Sequence, residues 1–215
     1  MPFIERDAKR ILFVHIPRTG GSSIEKSLSD VAPLRFLYPG KLPFLHVSPQ
    51  HLTFPDFKSL LGTDFFNYCF TVVRNPYRRI ESIYGMRTAL ARERFIKNVS
   101  PFNIWLQVNL SHASKDPFYL DGHLRPQTDY IGSGMNVFRY ETGLQNIVSK
   151  VSEQTGIPLQ LPEKRHLQSQ HLSPIEWNYE SLSLVNKFYA DDFRSFKYNL
   201  QVPELRENSS GQMEL

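Results

Sequence analysis

The chain has 215 residues, 40% of them hydrophobic, enough for one compact domain with a core of useful size. It holds no apolar run of the roughly eighteen residues a membrane-spanning helix needs, and the charged start Glu5, Arg6, Asp7, Lys9 and Arg10 lacks the apolar stretch of a secretion signal. The net charge of +4 is scattered in small clusters rather than a basic tail or stripe, so no nucleic-acid partner is expected, and the lone Cys69 excludes a disulfide framework. These features describe a soluble protein, expected in the cytoplasm.

Ile11 to Ile16 is a short β-branched and aromatic run, preceded by charge and closed by Pro17, which predicts a buried strand. Gly20-Gly21 breaks it, and Ser22-Ser23 followed by Ile24-Glu25-Lys26-Ser27-Leu28 opens a helix. Cys69 to Val73 predicts a second strand with a buried structural thiol. Pro76 then suits the first turn of a helix on which Ile80, Ile83, Tyr84, Arg87, Leu90 and Ala91 recur at helical spacing. Beyond it the spacing predicts a helix over 102–110, a short strand over 136–140 and a helix over 143–154 stopped by Gly156-Ile157-Pro158. Leu182, Val185, Phe188, Tyr189, Phe193 and Phe196 predict one amphipathic helix near the end. Residues 201–215 are largely polar and read as a disordered tail. Strands followed by helices predict an α/β fold: a single domain over 1–200 with a P-loop-like central parallel sheet flanked by helices and a helix-rich C-terminal half.

Two segments carry chemistry. In the first, Ile16-Pro17-Arg18-Thr19-Gly20-Gly21-Ser22-Ser23, glycines allow close backbone approach, and the helix start after them offers unpaired N–H groups and a positive dipole end. Thr19, Ser22 and Ser23 add hydroxyls and Arg18 a fixed charge, all suited to an anionic tetrahedral group. The segment fails the nucleotide-triphosphate pattern G-x-x-x-x-G-K-[ST], because its basic residue precedes the glycines. In the second, Val73-Arg74-Asn75-Pro76-Tyr77-Arg78-Arg79-Ile80-Glu81-Ser82, Arg74 ends a strand and Ser82 lies about two turns into the next helix, where its hydroxyl can approach Arg74. A guanidinium fork with a hydroxyl suits a phosphate monoester. Two anion sites on neighbouring strands imply a nucleotide with phosphates at both ends.

This motif pair resembles the PAPS-dependent sulfotransferases (PAPS, 3′-phosphoadenosine 5′-phosphosulfate), most closely the carbohydrate branch that includes heparan 2-O-sulfotransferases and their bacterial relatives. The resemblance continues through Leu45-His46-Val47-Ser48, Arg125-Pro126-Gln127-Thr128-Asp129-Tyr130, Phe138-Arg139-Tyr140-Glu141 and Tyr189-Ala190-Asp191-Asp192-Phe193. It implies that the first motif grips the 5′-phosphosulfate and the second the 3′-phosphate, with in-line transfer to an acceptor hydroxyl, that of a saccharide, and release of adenosine 3′,5′-bisphosphate. Arg18 stands where the family usually has lysine. It can stabilise charge on the leaving oxygen but cannot readily donate a proton.

The position of His46 matches the family's base, and histidine suits that task because it titrates near neutrality. His123 is a further candidate at the acceptor, and His51 is a rival base. The resemblance places Gln127 and Arg139 near the nucleotide or acceptor, and Ser169 in a segment that closes over the cofactor. Arg87, Arg92, Arg94 and Lys97 could meet an anionic acceptor. No Cys, His and carboxylate cluster has metal-ligand spacing, so no metal is expected. An inactive nucleotide binder of the same fold and an ATP-dependent small-molecule kinase are the competing readings.

Overall fold

The computed structural model describes residues 2–38, 40–62, 64–93, 100–162 and 175–201. Ser169, Arg94, Lys97 and the tail beyond Gln201 lie outside the described residues. In chain order the elements are β1 (Phe3–Arg6), β2 (Lys9–Val14), α1 (Gly21–Ser29), α2 (Phe54–Leu61), β3 (Tyr68–Val73), α3 (Pro76–Glu93), α4 (Phe102–Ala113), β4 (Asn136–Arg139), α5 (Leu144–Thr155), α6 (Tyr179–Phe188) and α7 (Ala190–Ser195).

The sheet has four strands in the order β1-β2-β3-β4. β2, β3 and β4 run parallel, with Val14 opposite Thr71 and Val73 opposite Arg139. β1 is antiparallel to β2, an edge strand in a segment too charged to read as one. The hairpin between them turns on Asp7 and Ala8, both in the left-handed region (φ 51° and 60°), as a two-residue loop between right-twisted strands requires.

Strand alternation sends residues to two cores. Ile11, Phe13, Phe70 and Val72 pack with Ile24 and Leu28 of α1 and Ile147, Val148 and Val151 of α5. On the opposite face Leu12, Val14 and Val73 pack with residues of α2, α3, α4, α6 and α7, among them Phe57, Ile80, Leu106, Val185 and Phe193. Helices cover both faces, and the segments just past the C-terminal ends of the three parallel strands carry Arg18, Arg74 and Tyr140. Among the described residues no helix is long and apolar enough to cross a membrane.

α2 begins in Thr53-Phe54-Pro55, with a proline in its first turn. There Thr53 and Asp56 form a capping box, and Pro55 falls in the first turn, where its missing N–H has no helical partner to lose. The expected single C-terminal helix is two, α6 and α7, separated at Tyr189 (φ −105°, ψ 26°). The buried Tyr189 hydroxyl donates to the carbonyl of Leu124 at 2.7 Å, anchoring the joint. Cys69 is half-buried, and burial pushes its thiol up to about 11, with Lys58 opposing.

Candidate active site

The loop after β2 folds tightly. Arg18 is held in the left-handed region at φ 69°, a conformation that costs a non-glycine residue about 1 kcal/mol and clusters at functional sites. Thr19 is fully buried and its hydroxyl donates to the carbonyl of Ile16 at 2.9 Å, so it closes the turn rather than facing outward. Gly20 (φ 91°) is the N-cap of α1, with no side-chain cap. At Gly21 a Cβ would stand 2.3 Å from Nε2 of His15, so only glycine fits. His15 in turn is fixed by Glu25, which accepts from its Nδ1 at 2.5 Å and from Nε2 of Gln50 at 2.9 and 3.2 Å. Burial alone would raise the Glu25 carboxyl. The His15 charge and the bonds from His15 and Gln50 outweigh it and hold the group below its usual range. Ser22 is exposed and Ser23 half-buried, both in the first turn of α1.

The two sequence motifs meet here. Nε of Arg18 donates to Oγ of Ser82 at 3.1 Å, and Nη1 of Arg74 donates to the carbonyl of Arg18 at 3.2 Å. Ser82, expected near Arg74, bonds the Arg18 side chain, whose backbone carbonyl Arg74 holds. The Arg74 guanidinium lies over the ring of Tyr140, 4.6 Å from its centroid. Among the described residues neither Arg18 nor Arg74 forms an ion pair with a carboxylate. Burial, then the charge of Arg74, lowers the pKa of Arg18. Burial also lowers that of Arg74, against the opposing influence of Tyr140, Glu141 and Glu81. Two half-buried like charges without a bonded counter-ion are unfavourable until an anion arrives.

A buried framework sets this geometry. Gln127 is fully buried: its Oε1 accepts from the Arg74 amide and its Nε2 donates to the Arg74 carbonyl, both at 2.9 Å. Asp192, at the start of α7, accepts from the amide and Nε2 of Gln127 and from the amide and hydroxyl of Thr128. Gln127, expected near the nucleotide or acceptor, braces the Arg74 backbone. Arg79, 1% exposed, donates to the carbonyls of Pro17, Arg125 and His123, tying the β2 loop to the segment before Gln127. Its signal in the sequence was its place on α3, three residues before Ser82 and four before Ile83 on the buried face.

The histidines separate clearly. His46 is exposed and stacked on Phe118, with ring centroids 4.6 Å apart. His51 is buried, and its Nδ1 lies 2.8 Å from Oδ2 of Asp121. Asp121 also accepts from the amide and hydroxyl of Ser48 at 2.7 and 2.8 Å. Its carboxyl, which burial would raise, is held well below the usual carboxylate range by His51 and Ser48. The ring of His51 packs edge-on against His15 at 5.5 Å and His123 at 4.9 Å. Burial lowers the pKa of His51 despite Asp121. His123 is pushed down to about 3 by burial and the charges of His51 and Arg87, and its Nδ1 is 2.7 Å from the carbonyl of Leu120. Asp121 was missed because its partner His51 lies 70 residues away. Arg139 is exposed, its guanidinium 4.2 Å from the ring centroid of Tyr198. Glu141 accepts from the Asn75 amide and the Tyr198 hydroxyl, so it braces the second motif.

This fold is α/β and sets Arg18 and Arg74 just past the C-terminal ends of parallel strands, the end at which open α/β sheets bind ligands. The chain belongs to the sulfotransferase family, whose model matches residues 1–199. No curated protein and no solved structure gives a significant match. Membership implies transfer of a sulfuryl group to a hydroxyl acceptor, and the family generally uses PAPS as donor.

Proposed function

We propose that the protein transfers a sulfuryl group from PAPS to a hydroxyl of a carbohydrate by in-line displacement, through a P-loop-like cradle of the heparan 2-O-sulfotransferase type. The observation that carries this reading is the joining of Arg18, Ser82 and Arg74 into one cationic cluster beside Gly20-Gly21. When bound, PAPS supplies a sulfuryl group already activated by its link to phosphate.

The residues present fit such a donor. Arg18 and the first-turn amides of α1 suit the phosphosulfate end, where a fixed charge and oriented donors stabilise developing negative charge. Arg74, with Ser82 near, suits the 3′-phosphate. Arg18 is the electrostatic clamp and, unlike lysine, does not act as a proton donor.

The proton of the acceptor hydroxyl we assign to Nε2 of His51 rather than to His46. Asp121 orients the His51 ring through Nδ1, which leaves Nε2 to take a proton, and burial keeps the imidazole neutral and ready to accept it. His46 has no carboxylate among the described residues to orient it, only the Phe118 ring. Asp121 and Ser48 are positioning residues.

An inactive nucleotide binder is the second reading, and Arg18 in place of the usual lysine favours it. Incubation with sulfur-labelled PAPS and a panel of desulfated saccharides separates the two. Label transfer that disappears in Arg18→Ala supports the enzyme; tight binding of adenosine 3′,5′-bisphosphate with no transfer to any hydroxyl supports the binder.

A further inference from the structure

The turn before α2 and the segment before Gln127 bring together a group of side chains whose arrangement goes beyond proton transfer. One ligand atom from each of His51, Asp121 and His123 falls within 4.8 Å of the other two. No spacing in the sequence announced it, because the three come from the turn before α2 and from the segment before Gln127.

We infer that His51, Asp121 and His123 form a binding site for a divalent transition metal of the zinc class. Two imidazoles and one carboxylate are the donor set such ions take, with a fourth position left for water or another ligand. Two of the three donors are oriented by groups outside the triad. Nδ1 of His123 is engaged by the Leu120 carbonyl at 2.7 Å, which leaves its Nε2 lone pair for a metal. Asp121 is gripped through both oxygens by Ser48. It sits with Leu120 in the left-handed backbone region (φ 60° and 53°), so the fold holds this carboxylate in place against local strain.

The surrounding charges set limits on the ion. The Arg87 charge bears on His123, and the His15–Glu25 pair lies against His51. A compact ion bound by directed imidazole bonds fits there better than calcium or magnesium, which need more oxygens. A metal on Nδ1 of His51 sends the proton shared with Asp121 to Nε2, and a metal on Nε2 takes that lone pair itself, so in either case the ring has no free lone pair. A consequence follows, which rests on the reading of His51 as the base: an occupied site has no free base, and zinc inhibits transfer.

The test begins with chelator-treated full-length protein titrated with Co²⁺ and followed by visible absorption, then with Zn²⁺ by calorimetry. The inference predicts one Co²⁺ per chain with a low-symmetry d–d band that Zn²⁺ abolishes. Affinity should be at least about tenfold weaker in both His123→Ala and Asp121→Asn, and unchanged in His46→Ala. Circular dichroism of each variant establishes that it is folded, and Asp121→Asn retains the size and shape of the carboxylate should His123→Ala fail. No band, or equal affinity in the wild type and both variants, overturns the site. In a separate arm, sulfuryl transfer is measured with and without Zn²⁺. Metal binding with undiminished transfer keeps the site and overturns the assignment of His51 as base.

Discussion

The Arg74 guanidinium donates to the backbone carbonyl of Arg18 at 3.2 Å, so the residue that closes β3 also holds the left-handed turn after β2. The two motifs are therefore one structure rather than neighbours. A ligand that draws on Arg74 acts on the loop that positions Arg18, and each change below tests part of this linkage.

Gln127 is the support beneath Arg74. Gln127→Ala removes both bonds to the Arg74 backbone and leaves Asp192 without one of its four donors. The Gln127 amide group still reaches Asp192 in that variant, so the main loss is the side-chain brace. A destabilisation of about 2–3 kcal/mol is expected for buried partners left unsatisfied, together with weaker nucleotide binding. Urea unfolding and calorimetry on the same preparation measure both; an unchanged midpoint would contradict the structural role.

Glu25 predicts a pH dependence of stability. Its folded pKa lies below the unfolded value of about 4.3, because His15 and Gln50 outweigh the effect of burial. Its contribution is thus fully present above the unfolded value and is lost as pH falls through the folded one. Glu25→Gln should cost about 1–3 kcal/mol at neutral pH, with the gap to wild type narrowing in acid. A gap that stays constant down to strongly acid pH would show that the charge is not what matters.

The histidine assignment separates the two candidates in one comparison. At saturating PAPS, His51→Ala should lower kcat by about 10²- to 10⁴-fold, the usual worth of a positioned acid–base group. Asp121→Asn should lower kcat less, with little change in the donor KM. His46→Ala should retain most activity. The reverse pattern would return the base to His46, the histidine that the linear motif suggested.

The strand ends, the glycine pair and Arg74 were legible because each is a local signal: a β-branched run, a break in it, and a charge where the run stops. The antiparallel edge strand Phe3–Arg6 was not, since Glu5 and Arg6 conceal a short strand whose support comes from pairing with β2. The helix at Phe54–Leu61 was hidden by Pro55, whose effect depends on whether it falls in a first turn. At the site, contacts over long chain separations stayed invisible: Asp192 lies 65 residues from Gln127, and Asp121 lies 70 from His51. No periodicity links such pairs; only the packing of α7 and of the segment before Gln127 against the sheet brings them together. Thr19 shows the converse. Its hydroxyl looked available for a ligand in sequence, but the turn needs it for the carbonyl of Ile16.

The central claim is that Arg18 and Arg74 form one site for a nucleotide with phosphates at both ends. The most direct measurement is calorimetric titration with adenosine 3′,5′-bisphosphate, adenosine 5′-phosphate and ATP, on wild type and Arg74→Ala. The account predicts a strong preference for the bisphosphate, with affinity falling at least about tenfold in the variant, as expected for the loss of a charged hydrogen-bonding partner. Preference for ATP, or bisphosphate binding unchanged in Arg74→Ala, would contradict it.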